Sequence, residues 1–158
     1  MKCMSSPTTT SDEYFMREAY KQALLAAELD EVPIGAVVVL DNQMIATGYN
    51  RRETDRDPTA HAEFIAMQGA TKKLDRWRLS GATVYVTLEP CPMCAGLMHQ
   101  ARIDRCVYGA PDPKSGALGS LYDLHDDARL NHRFEVTSGV MADESAQLLR
   151  DFFAKKRV

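Results

Sequence analysis

Two short segments, HAEFIAM at 61–67 and TLEPCPMCAGLM at 87–98, narrow the folds open to this chain more than any other feature. The first sets a His and a Glu two residues apart, and the second sets two cysteines three apart behind a proline. Residues i and i+3 of a helix lie about 5 to 6 Å apart, so Cys91 and Cys94 can share one metal ion. Pro90 and Pro92 suit a helix beginning, whose positive end favours the thiolate that a metal ligand must become. His61 precedes them with 29 residues between. It joins the cysteines only in a fold that brings two helix starts to one end of a sheet.

Residues two apart in mid-helix point to different sides, so His61 and Glu63 converge only if they occupy a first turn. Asp57, Pro58 and Thr59 make such a start plausible. Three protein ligands leave one corner of a zinc tetrahedron open to water, whose pKa then falls to about 7, and Glu63 is the natural base for its proton. A second reading is a closed structural site with Cys106 as fourth ligand. The full pattern, HxE followed by PCxxC, is the signature of zinc-dependent nucleobase deaminases.

A chain of 158 residues with 45% hydrophobic content is enough for one globular domain. Residues 1–10 read as a polar, mobile tail, and 11–158 as a single zinc-dependent domain. No apolar run approaches the roughly 18 residues of a membrane helix, and the start has no signal-peptide core, so a cytoplasmic protein with reduced cysteines is expected. Net charge is −3, with 19 Lys+Arg against 22 Asp+Glu, which argues against a general nucleic-acid binder and leaves RNA contact to local patches.

Thr10 and Glu13 fit a capping box opening a helix to about Asp30, with Met16, Ala19, Tyr20, Ala23 and Ala27 on one face. Branched runs at 35–40 and 44–50 read as a hairpin. Helices follow at 61–74 and 91–101, strands at 82–88, 105–110 and 133–139, and a closing helix from Glu144. The order α β β α β α β β α predicts an α/β domain whose single five-stranded sheet carries helices on both faces. Cys106 reads as a small buried hydrophobe, Phe152 and Phe153 as core or interface, and His99 and His125 as incidental.

EVPIGAVVV (31–39), GYNRRE (48–53), DPTAHAE (57–63), YVTLEPCPMCAG (85–96), GAPDPKSGALGSL (109–121), LNHR (130–133) and DFF (151–153) together resemble the bacterial tRNA adenosine deaminases, TadA-type enzymes of the cytidine deaminase superfamily. The resemblance covers about residues 12–154. It implies the three-layer α/β/α cytidine deaminase-like fold with a mixed sheet. It also implies one zinc ion held by His61, Cys91 and Cys94, Glu63 as proton shuttle, and hydrolysis of adenosine to inosine at the wobble position of a tRNA anticodon stem-loop. Asn50 would hydrogen-bond the base, and Asp112 and Lys114 would meet flanking nucleotides, with Asn131, His132 and Arg133 as weaker candidates. Pro111 departs from the family's polar contact loop. A homodimer is implied as well. The alternatives are a deaminase of a free base or nucleotide, of guanine or cytosine type, and a zinc-stabilised binding module without catalysis.

Overall fold

The structure, a computed structural model, describes residues 10–156. The expected tail, Thr10 excepted, and Cys3 lie outside the described residues. The chain runs α1 (Thr10–Glu28), β1 (Gly35–Leu40), β2 (Gln43–Tyr49), α2 (Ala62–Leu74), β3 (Thr83–Leu88), α3 (Pro92–Ala101), β4 (Arg105–Ala110), β5 (Glu135–Thr137) and α4 (Ala142–Lys156), with a short 3-10 turn at Leu124–Asp126. The strands form one mixed sheet in the order β2-β1-β3-β4-β5. β1 is antiparallel to β2 and β3, while β3, β4 and β5 are parallel.

The β1–β2 hairpin closes on Asp41 and Asn42, both at positive φ (52° and 61°), the backbone that a two-residue turn between twisted strands requires. Along the inner strands, alternate side chains serve opposite faces. Val37, Val39, Tyr85 and Val107 pack with Phe15, Met16 and Ala19 of α1, and α4 covers the same face where its Ser145 approaches Gly109. Val38, Val84, Val86 and Cys106 face the other way, onto Ala66 and Met67 of α2 and Ala95 and Met98 of α3. The result is the expected three-layer α/β/α arrangement. Burying each of the methionines is worth about 1.5–3 kcal/mol.

Three details differ from the sequence expectation. The buried stripe of α1 is Asp12, Phe15, Met16, Ala19, Ala23 and Ala26, whereas Tyr20 and Ala27 are half-buried. The helix turns its small residues to the sheet because it lies directly on Gly35, where a Cβ would stand 2.1 Å from the Ala19 carbonyl oxygen. β5 is only three residues long, since its pairing is confined to Arg105–Val107 of β4. On α4 only Ser145 is fully buried, Phe152 is half-buried, and Phe153 is 42% exposed.

Candidate active site

Because β1 is antiparallel to both its neighbours, β2, β3 and β4 run the same way and end at one edge of the sheet, the usual place for a ligand crevice in an open α/β sheet. Asn50 follows β2, Glu89 and Cys91 follow β3, and Asp112 follows β4. A cleft of about 630 Å³ opens there. Its lining includes Asn50, His61, Glu63, Glu89, Cys91, Asp112 and Lys114.

His61 and Cys91 are the N-cap residues of α2 and α3, both extended (φ −80°, ψ 151° and φ −77°, ψ 173°), and neither uses its side chain to cap the helix. The ring and the thiol therefore remain available to the cleft. Upstream of His61, Asp57 accepts from the Thr59 amide at 2.8 Å and hydroxyl at 2.7 Å, a local turn that delivers the chain into α2. The Thr59 hydroxyl bond, with the amide bond behind it, holds the Asp57 carboxyl below its ordinary range. Pro92 occupies the first turn of α3, where its missing N–H costs nothing. α2 itself is drawn onto the sheet at Gly48, where a Cβ would lie 2.5 Å from the Ala62 carbonyl oxygen.

His61 Nδ1 lies 3.7 Å from Cys91 Sγ and 3.5 Å from Cys94 Sγ, and the three donor atoms fall within 4.8 Å of one another. A zinc tetrahedron with bonds of about 2.3 Å to sulfur and 2.0 Å to nitrogen sets N···S at about 3.5 Å, so both N···S separations fit zinc. Cys106 is not in the group: it is fully buried in the core between sheet and helices, which leaves the closed four-ligand reading without its fourth ligand. The hydrogen bond from Cys94, aided by His61, pulls the Cys91 thiol down to about 4, and the Cys94 thiol that donates it is pushed up.

Glu63, in the first turn of α2, is 4% exposed. Burial, the largest influence, pushes its carboxyl up to about 7, which suits a group that must take and return a proton near neutrality. The first-turn placement that the HxE spacing demands is thus what the fold supplies. Asn50, 6% exposed, donates from Nδ2 to the Val32 carbonyl at 3.2 Å and accepts the Arg52 amide on Oδ1 at 3.1 Å. One amide N–H and one lone pair remain for a ligand.

Asp112 and Lys114 stand at the cleft mouth, where the Asp112 carboxylate accepts the Lys114 and Ser115 amides at 3.0 and 3.3 Å. Asn131, His132 and Arg133 are not brought to the cleft. His132 Nε2 meets the Ile103 carbonyl at 2.8 Å, and Arg133 approaches Asp126 at 3.8 Å. Sequence reasoning missed Glu89, whose four hydrogen-bond donors lie 23 to 31 residues further along the chain. It also missed the cleft wall from α4, Leu149, Arg150 and Phe153. The signal for Glu89 was a carboxylate wedged between an apolar strand and a proline.

The MafB19-like deaminase family model matches residues 10–157. The tRNA-specific adenosine deaminase of Bacillus subtilis (strain 168) is 49% identical over 148 residues, covering 94% of this chain and 92% of that protein. A solved structure from studies of A-to-I editing by tRNA deaminases at the wobble position of transfer RNA superposes with TM-score 0.83 at 47% identity, covering 86% of this chain and 99% of that one. A guanine deaminase from Bacillus subtilis superposes with TM-score 0.60 at 39% identity, over 63% of this chain and 64% of its own.

Proposed function

Because the chain belongs to the MafB19-like deaminases and to the tRNA-specific adenosine deaminases, we propose that it converts adenosine at the wobble position of a tRNA anticodon to inosine and ammonia, with zinc held by His61, Cys91 and Cys94. The observation that carries the reading is the convergence of those three donor atoms beside a buried Glu63 at the base of an open cleft. Zinc bound there supplies a water whose pKa is lowered to near neutrality.

The chain's own groups do the rest. Val32, Ile34 and Leu88 give the cleft apolar surface against which a purine can lie, and Asn50 offers the base its remaining N–H and lone pair. Glu63 takes water's two protons in turn, passing the first to the base nitrogen as the C6–O bond forms and the second to the departing amine as the C6–N bond breaks, with no net redox change. An adenosine inside a stack cannot reach this floor and must be flipped out. Asp112 and Lys114 at the mouth then face the flanking nucleotides.

Residues 11–158 are read as one domain, which the span of the family match supports. No described helix is long and apolar enough to cross a membrane. We place the enzyme in the cytoplasm, where tRNA is found, and expect a homodimer; a monomer in light scattering at micromolar concentration would remove the latter.

The test is to incubate zinc-loaded protein with an anticodon stem-loop carrying adenosine at the wobble position, beside free adenosine, cytidine and guanine. Inosine from the stem-loop alone is expected. In Glu63→Ala the rate should fall by roughly 10²- to 10⁴-fold with zinc content intact. Turnover of free guanine at a rate comparable with RNA would replace this reading with that of a small-molecule deaminase.

A further inference from the structure

Glu89 takes no part in the reaction assigned above, yet it is only 2% exposed and stands just past β3, two residues before Cys91. A carboxylate so deeply buried is tolerated only when its oxygens are satisfied. Oε1 accepts the Asp112 amide at 2.9 Å and the Ser120 hydroxyl, and Oε2 accepts the Leu118 and Ser120 amides at 3.1 and 3.0 Å. All four donors belong to the segment that follows β4 and carries Asp112 and Lys114 to the cleft mouth.

The segment is shaped to receive this carboxylate. A Cβ on Gly116 would stand 2.3 Å from the Glu89 carboxyl carbon and one of its oxygens, so only glycine lets the loop close over it. Pro111 and Pro113 fix φ on either side of Asp112 and have no N–H, so the Asp112 amide is the sole donor of residues 111–113, and Glu89 holds it. The Ala117 amide donates to the Pro90 carbonyl at 2.9 Å beside the carboxylate, extending the seam.

We infer that Glu89 is a positioning residue for substrate: by clasping both ends of segment 112–120 to the end of β3, it holds Asp112 and Lys114 ready for the nucleotides flanking the target. The inference rests on the functional reading above. A loop ordered before binding has less conformational freedom to lose when RNA arrives, so the clasp should act on affinity rather than on the chemical step.

Glu89→Gln tests this at constant size, because in either orientation the amide NH2 faces a backbone N–H. Gly116→Ala presses on the clasp from the loop side and leaves Glu89 itself unaltered. Ser120→Ala removes one donor of four. KM and kcat for inosine formation on the anticodon stem-loop are measured together with zinc content and hydrogen exchange of the 112–120 amides. For Glu89→Gln and Gly116→Ala, KM should rise on the order of tenfold with kcat within about threefold, the scale of one lost charged hydrogen bond. Zinc content should hold, the loop amides should exchange faster, and Ser120→Ala should show a smaller rise.

A folded variant with unchanged KM, or one whose kcat falls at constant KM, would overturn the inference, as would loss of zinc. Should Glu89→Gln fail to fold, Gly116→Ala decides alone. Silence of the unsubstituted enzyme on the stem-loop is a different result: it strikes the functional reading, and the inference falls with it.

Discussion

At the residue scale, the described part of the molecule leans on two buried carboxylates outside the cleft lining. Asp12, whose side chain is 1% exposed, receives both terminal nitrogens of Arg105 at 2.7 Å and the Tyr85 hydroxyl at 2.8 Å. Burial, with Asp12 second, pushes the Tyr85 phenol well above its ordinary value. Asp12→Ala takes the carboxylate from a half-buried Arg105, which keeps its bond to the Thr137 hydroxyl at 2.8 Å, so urea unfolding should show a loss of about 3 kcal/mol, partly restored by adding Arg105→Met. Glu31, 2% exposed, accepts the Glu53 amide at 3.2 Å and the Thr54 amide at 2.6 Å. Burial pushes its carboxyl up, but the hydrogen bonds from Thr54 and Glu53 outweigh that and hold it below 4.5. A depressed folded value means stability that is full above 4.5 and lost as pH falls through the lower folded value. The melting-temperature gap between the native chain and Glu31→Gln should therefore be open at neutral pH and close as acid is added below 4.5.

At the scale of elements, the site depends on how closely α2 lies on β2. Gly48 permits that approach, and any side chain there meets the backbone at Ala62 and Ala66, 2.5 and 2.8 Å away. Gly48→Ala should shift the N-terminal turn of α2, and His61 with it. Zinc affinity measured against a chromophoric chelator should fall by about 10- to 100-fold, as when the support of a metal ligand is altered. The elements themselves were largely legible in the sequence. Branched runs in β1 and β3 declare buried strands, and the prolines around Cys91 mark the start of α3. The spacing of His61 and Glu63 required a first turn, and α2 provides it. The inward face of α1 was legible in part: Met16, Ala19 and Ala23 were read on it, but Phe15 and Ala26 rather than Tyr20 and Ala27 complete it, a rotation that the approach to Gly35 decides.

At the scale of the whole molecule, contacts between distant segments carry what periodicity cannot show. Arg105 and Asp12 are 93 residues apart, and each alone looks like an ordinary surface charge. Glu89 is the same kind of case, with partners up to 31 residues away. The three donor atoms likewise join the start of α2 to the start of α3, so an ion held there ties two halves of the sheet together. At a thousandfold excess over Kd such binding adds about 4 kcal/mol. Chelation should accordingly lower the melting temperature by roughly 8–16 °C, read by scanning calorimetry, with zinc restoring it.

The shared orientation of β2, β3 and β4 sends every residue of the cleft floor and mouth described here to one rim, while the sheet beneath contributes only its strand ends. Interior and rim are therefore separable in engineering terms. A chain that keeps His61, Glu63, Cys91 and Cys94 but receives a different segment between β4 and Leu118 would retain its reactive centre and change its clientele, a chassis refitted without touching the engine.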